Sequence, residues 1–170
     1  SIGKVMKEFD YIVIGGGPGG CSVAGRLSED PAISVCLLEA GKNDDQTLIT
    51  VPVAAAVMLP TTINNWAFKT VPQPGLNGRR GYVQRGKALG GSTSINAMVY
   101  NRGHSSDYDH WAALGNDGWS WREVMPYFKK SEHNEVYQDE YHGQGGPLNV
   151  AKLRSMNPFQ DIYLEAARQA

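Results

Sequence analysis

Residues 9–14 (FDYIVI) and 33–38 (ISVCLL) are short runs dense in apolar and β-branched side chains. Between them, CSVAGRLSED at 21–30 carries apolar residues at helical spacing. Apolar runs of that length without polar alternation predict strands buried on both faces, as in a parallel sheet. Strand, helix and strand in immediate succession predict a βαβ unit with a right-handed crossover, and hence an α/β fold.

The pattern weakens after residue 41. Residues 42–65 read as loops with a short apolar helix near 53–59. WAFKTV at 66–71 alternates like a strand until Pro72 and Pro74 end it, and 82–84 predicts another short strand. Residues 105–114 look helical. Ser120 and Glu123 form the S-x-x-E capping box of a helix over 121–131, which Pro126 should kink or split. GQGGP at 143–147 breaks the chain before a short strand, LNV at 148–150. Asn157-Pro158 supplies an N-cap with proline at the first helical position, and the helix it opens runs to Ala170 without a glycine cap. A helix without closure leads us to expect that this chain is a piece of a longer one or is completed by a second chain. No internal repeat is present.

Composition narrows the class. The chain has 170 residues, 41% apolar and 19% charged, with a net charge of −1. It is long enough to bury a core and reads as soluble and globular. Its charge balance gives no electrostatic case for nucleic acid or an anionic membrane. Cys21 and Cys36 each fall inside an apolar element, which predicts buried, inert thiols rather than a disulfide framework. No segment resembles a signal peptide or a spanning helix, so a cytoplasmic setting, with membrane association left open, is the expectation.

The 20 glycines concentrate in two clusters, at 15–20 and 86–91. In the first, Gly15-x-Gly17-x-x-Gly20 follows a predicted strand and opens a predicted helix. Gly15 makes the tight turn, Gly17 lets the backbone approach a pyrophosphate, and Gly20 allows close helix–strand packing. Glu39 ends the second strand, where a carboxylate can accept hydrogen bonds from an adenosine ribose and would repel a 2′-phosphate. A dinucleotide with an unphosphorylated ribose, NAD or FAD, fits this fingerprint equally.

The second cluster lies within VQRGKALGGSTSINAMVYNRG, residues 83–103. A Gly90-Gly91 pair suggests close backbone approach to a ligand. Ser92, Thr93 and Ser94 then offer a helix start whose free N–H groups could hold a phosphate, ahead of a helix-like apolar pattern.

From Arg85 through Gly90, Gly91, Ser92 and Asn96 to Tyr100, this segment closely resembles the first signature of the GMC (glucose–methanol–choline) oxidoreductases. DYIVIGGGPGG, NWAFKTVPQPGLNGR, NRGHSSDYDHWAALGNDGWSW, MPYFKKSE and HGQGGPLNV extend the resemblance over essentially the whole chain, toward the bacterial choline and alcohol dehydrogenase branch. The resemblance implies FAD, and so favours it over NAD. It implies a Rossmann-like FAD-binding domain whose N-terminal segment is residues 1–150, with a substrate-binding domain beginning at 151–170. It places the ADP half on Gly15, Gly17, Pro18, Gly19, Gly20, Glu39 and Ala40. Arg85, Gly90, Gly91 and Ser92 would lie along the phosphates and ribityl chain. Asn96, Ala97, Met98 and Val99 would run beside the isoalloxazine ring, with Trp66 as a nearby aromatic. Some members tether the flavin through a histidine just before the Asn of this signature; Ile95 stands there, so dissociable, non-covalent FAD is expected.

The activity so implied is oxidation of an alcohol by hydride transfer to flavin N5. The family's catalytic histidine lies far downstream of the matching region, so no catalytic residue is assigned in this chain. His104, His110, His133 and His142 read as structural. The implied partners are the rest of the enzyme, as C-terminal polypeptide or a second chain, and a small alcohol; nucleic acid is not among them. A non-catalytic FAD-binding fragment, or a relative of hydroxynitrile lyases that keeps FAD without net redox, are the alternatives.

Overall fold

In the computed structural model, which describes residues 7–170, the expected βαβ unit forms from β1 (Tyr11–Ile14), α1 (Pro18–Leu27) and β2 (Val35–Leu38). β1 and β2 pair in parallel, with Tyr11 opposite Val35 and Ile14 opposite Leu38. Asp10 and Ser34 fix this register. The Asp10 carboxylate accepts from the Ser34 amide at 2.8 Å and from its hydroxyl at 2.6 Å. Gly17 is the extended cap of α1, and Pro18 takes the first helical position, where its missing N–H has no partner to lose.

Contacts divide the chain after Val99 into two units. In the first unit the core does not lie where the apolar strands predict it. Ile12 is 60% exposed and Ile14 85% exposed, so β1 is not buried on both faces. Among the described residues, β1 and β2 form a two-stranded sheet covered on one side by α1. Burial centres instead on Met58, Ala88 and Ile95, with Ala24 and Ala54. Cys21 and Cys36 are free and half-buried rather than buried, and the Cys21 thiol donates to the Gly16 carbonyl.

A short helix, α2 (Thr47–Thr50), lies where the sequence read as loop, and the helix expected near 53–59 forms as a 3-10 turn at Pro52–Ala54 followed by α3 (Ala55–Met58). β3 (Phe68–Lys69) pairs antiparallel with β4 (Tyr82–Val83). It is shorter than the 66–71 alternation suggests because Ala67 sits at φ +50°, outside the strand region. The helix expected after Gly90-Gly91 does not form; Gly91–Ser94 make one 3-10 turn and the chain beyond is irregular. The side chains read as a helix start divert the backbone. Thr93 and Ser94 hydroxyls donate to the Gly90 and Leu89 carbonyls, and the Asn96 side chain accepts from the Met98 amide at 2.7 Å. Such local bonds compete with helical ones.

In the second unit, α4 (Ser105–Ala113) and α5 (Trp121–Ser131) pack through Tyr108, Trp111, Trp121 and Phe128. The Ser120 amide donates to Glu123 at 3.1 Å, closing the expected box. α5 runs through Pro126 as one helix, so the proline does not split it. β5 (Glu132–Asn134), which the sequence pattern does not reveal, follows α5 directly and pairs in parallel with β6 (Leu148–Val150). The glycines of GQGGP serve this junction: a Cβ at Gly143 would lie 2.0 Å from the Lys129 carbonyl oxygen. In α6 (Pro158–Gln169), Asn157 accepts from the Phe159 amide at 3.0 Å, as the N-cap reading requires. No helix among the described residues is long and apolar enough to cross a membrane.

Candidate functional site

The chain leaves β1 at Gly15, whose φ of +95° suits glycine and no β-branched residue. Its amide donates to the Leu38 carbonyl at 2.7 Å, closing the sheet at the carboxyl ends of both strands. A Cβ at Gly20 would lie 1.8 Å from the Gly15 carbonyl oxygen, so only glycine lets α1 start this close to the strand. A Cβ at Gly17 would meet nothing within 4 Å, so there the bare backbone faces open space. The residue that needs contact and the residue that needs access are thus separate positions in one loop.

Glu39 holds that loop. One carboxylate oxygen accepts from the Gly16 amide and the other from the Gly41 amide, both at 2.7 Å. Each oxygen keeps a lone pair, so the carboxylate retains acceptor capacity toward a ribose.

The second glycine cluster meets the first. The Gly90 amide donates to the Gly16 carbonyl at 2.6 Å and the Leu89 amide to the Lys42 carbonyl at 2.8 Å. A Cβ at Gly91 would lie 2.8 Å from the Gly17 Cα, and one at Gly86 would lie 2.1 Å from the Gly91 carbonyl oxygen. The Gly86 amide donates to the Ser92 hydroxyl at 3.1 Å. Two segments some seventy residues apart therefore touch backbone to backbone, which larger residues at these positions would prevent.

Between them lies an open cavity of about 580 Å³. Of the residues singled out from the sequence, Gly15, Gly17, Pro18, Glu39, Ala40, Trp66, Arg85, Gly91 and Ser92 line it. Asn96 and Met98 line a different cavity of about 260 Å³, with Asp44, Met58 and Ile95. Gly19, Gly20, Gly90, Ala97 and Val99 line neither. Ile14, Leu38 and Phe68 line the first cavity without having been singled out, as does Gly86, named only as the start of the second cluster. For Ile14 and Leu38 a signal existed, since ligands of parallel sheets bind outside the carboxyl ends of the strands. Phe68 was signalled by sitting two residues from Trp66.

One wall is aromatic and carries a cation. Trp66 and Phe68 stack at 5.7 Å with nearly parallel rings, and the Lys87 ammonium lies 4.2 Å from the Trp66 ring centroid. The floor is Gly17 and Pro18 at the start of α1, where the helix dipole favours an anion. A site with one helix start, a carboxylate with free lone pairs and an aromatic wall suits an extended dinucleotide.

No histidine lines either cavity. His104 caps α4 by accepting from the Ser106 amide, and the His133 ring accepts from the Gly145 amide at 2.9 Å. His142 lies 2.7 Å from Asp139, a hydrogen bond that holds the Asp139 carboxyl below the usual range.

The sequence profile of the GMC oxidoreductases matches residues 9–170. The chain is 46% identical over 163 residues to an alcohol dehydrogenase [acceptor] of Pseudomonas putida, covering 95% of this chain and 30% of that protein. It is 45% identical over 163 residues to an oxygen-dependent choline dehydrogenase of Sinorhizobium fredii, covering 96% and 30%. Among solved structures, pyridoxine 4-oxidase from Mesorbium loti superposes with a TM-score of 0.88 at 35% identity, over 95% of this chain and 32% of that one. An FAD-dependent oxidoreductase from Chaetomium thermophilum superposes with a TM-score of 0.83 at 34% identity, over 95% and 29%. The chain thus spans about 30% of the length of the curated relatives it matches. Its parallel βαβ unit forms part of a Rossmann-like domain. With both glycine clusters, the cavity they enclose and a match along nearly its whole length, the chain belongs to the GMC oxidoreductase family.

Proposed function

We propose that this chain is the FAD-binding portion of an enzyme that oxidises an alcohol to an aldehyde or ketone. The observation that carries the reading is the backbone contact of the two glycine clusters around one open cavity. FAD is the cofactor, in keeping with the family and its FAD-dependent neighbours. Bound there, it would supply the two-electron acceptor for the hydride that leaves the hydroxyl-bearing carbon.

This chain's residues bind and orient. The exposed backbone of Gly17 at the start of α1 would hold the pyrophosphate, and Glu39 would accept from the adenosine ribose. Trp66 and Phe68 exclude water from one wall. Ile95, buried and without a nucleophilic atom, offers no covalent tether, so the cofactor is held non-covalently. The base that takes the hydroxyl proton is assigned to polypeptide outside this chain. That polypeptide is also the partner proposed to cover the exposed side chains of Ile12 and Ile14.

Anaerobic addition of small alcohols, choline among them, to the full-length flavoprotein tests the reading. The visible flavin band is expected to bleach with at least one alcohol and return on admitting oxygen or an artificial acceptor. A band that dithionite bleaches but no alcohol does would refute alcohol oxidation while leaving FAD binding intact.

A further inference from the structure

Asn65, only 2% exposed, is bonded at both ends of its amide and opens the NWAFKTVPQPGLNGR motif, where no role was assigned to it. Its Nδ2 donates to the Thr61 carbonyl at 2.9 Å, the Leu59 carbonyl at 3.1 Å and the Tyr82 hydroxyl at 3.1 Å. Its Oδ1 accepts from the Ala67 amide and from the Arg85 amide, both at 3.0 Å. The two acceptor bonds bracket Trp66. One reaches the residue after it, the other reaches Arg85, whose carbonyl accepts from the Trp66 amide at 2.8 Å.

The backbone they hold is unusual. Asn64 and Ala67 both sit in the left-handed region, at φ +51° and +50°. Non-glycine residues adopt that region at a cost and keep it only when their surroundings enforce it. Here the enforcing group is the Asn65 carboxamide, with the Lys87 amide donating to the Asn64 carbonyl at 2.8 Å. The strained corner turns Trp66 out of the β3 strand and into the cavity wall, beside Phe68 and under the Lys87 ammonium.

We propose that Asn65 is a positioning residue for the cofactor cavity: it acts through Trp66, fixing that ring against bound FAD. The proposal rests on the FAD reading above. It treats Asn65 as acting on the ligand indirectly, since Asn65 itself does not line the cavity.

A double-mutant cycle on FAD affinity of the full-length protein, with melting temperature measured alongside, separates positioning from mere support of the fold. Asn65→Ala and Trp66→Ala are each expected to weaken FAD roughly tenfold. Their combination is expected to be no weaker than the poorer single variant, because both remove the same wall. Asn65→Asp keeps an oxygen for the Ala67 and Arg85 amides and loses the amide donors. It is expected to melt lower yet bind FAD within about threefold of wild type, and it carries the test should Asn65→Ala fail to fold. Losses that multiply toward a hundredfold in the double variant would overturn the proposal. So would an Asn65→Ala variant that melts lower and binds FAD as tightly as wild type, or an Asn65→Asp variant that binds at least tenfold more weakly. If the wild-type protein binds no FAD, the functional reading falls and this proposal with it.

Discussion

Gly91→Ala is expected to weaken FAD binding about a hundredfold. Gly91 sits at φ +55°, where an alanine costs about 1–2 kcal/mol. Its new Cβ would also lie 2.8 Å from the Gly17 Cα, a backbone atom with no rotamer by which to yield. Relieving such an overlap costs a further 1–3 kcal/mol or so. A total near 3 kcal/mol corresponds to about two orders of magnitude, and it falls where the two clusters must meet. Gly25→Ala is the control, since a Cβ there would meet nothing within 4 Å and lies inside α1. It should leave FAD affinity unchanged and raise stability by about 0.5–1 kcal/mol. FAD titration of the apoprotein measures both. Equal affinities for the two variants would show that contact between the clusters does not shape the site.

Glu132→Ala is expected to destabilise the second unit by about 3–5 kcal/mol, a large share of the 5–15 kcal/mol or so that holds a typical domain. Glu132 is fully buried at the junction of α5 and β5. It receives the Arg102 guanidinium, the Asn134 side-chain amide at 2.7 Å and the Gly143 amide at 3.2 Å. Arg102 also donates to the Tyr141 carbonyl at 2.6 Å and lies over the Phe128 ring. Removing the carboxylate leaves that guanidinium buried without its counter-charge. Burial pushes the Glu132 carboxyl up, but the bonds from Asn134 and Gly143 and the charges of Arg102 and His142 together hold it below the usual range. A carboxyl lowered on folding stabilises fully above its free value, about 4.3, and loses that contribution as pH falls through the lower folded value. Wild-type stability should therefore drop below about pH 4, and Glu132→Gln should flatten that part of the profile. Urea unfolding followed by tryptophan fluorescence, repeated across pH, reads both effects. Superimposable acid limbs for wild type and Glu132→Gln would contradict this assignment.

The parts of the molecule legible in the sequence are those set by local backbone chemistry. Gly15, Gly17 and Gly20 each require what their order in the fingerprint implies: a turn, access and close contact. The Ser120–Glu123 box and the Asn157 cap are likewise decided within three residues. What stayed hidden depends on partners distant in sequence. β5 is a strand because Gly143 and Gly146 let the returning chain approach the end of α5. The apolar run of β1 describes a surface that this chain alone leaves open, so periodicity foretold burial that Ile14 does not have. Asn65 looks like one more loop asparagine. Its role appears only when residues 59–61, 67 and 82–85 converge on its amide. The segment after Gly91 was misread for a different reason: Thr93, Ser94 and Asn96 use their side chains on the local backbone, and a helix-like apolar spacing cannot overrule those bonds.

The central claim is that this chain's two glycine clusters hold FAD without a covalent bond. An absorption spectrum of the purified full-length protein, repeated on the supernatant after denaturation and removal of precipitate, tests it most directly. The account predicts a flavin spectrum that passes entirely into the supernatant. Flavin retained by the precipitated protein would contradict the argument from Ile95, and a protein without any flavin that also fails to take up added FAD would contradict the claim itself.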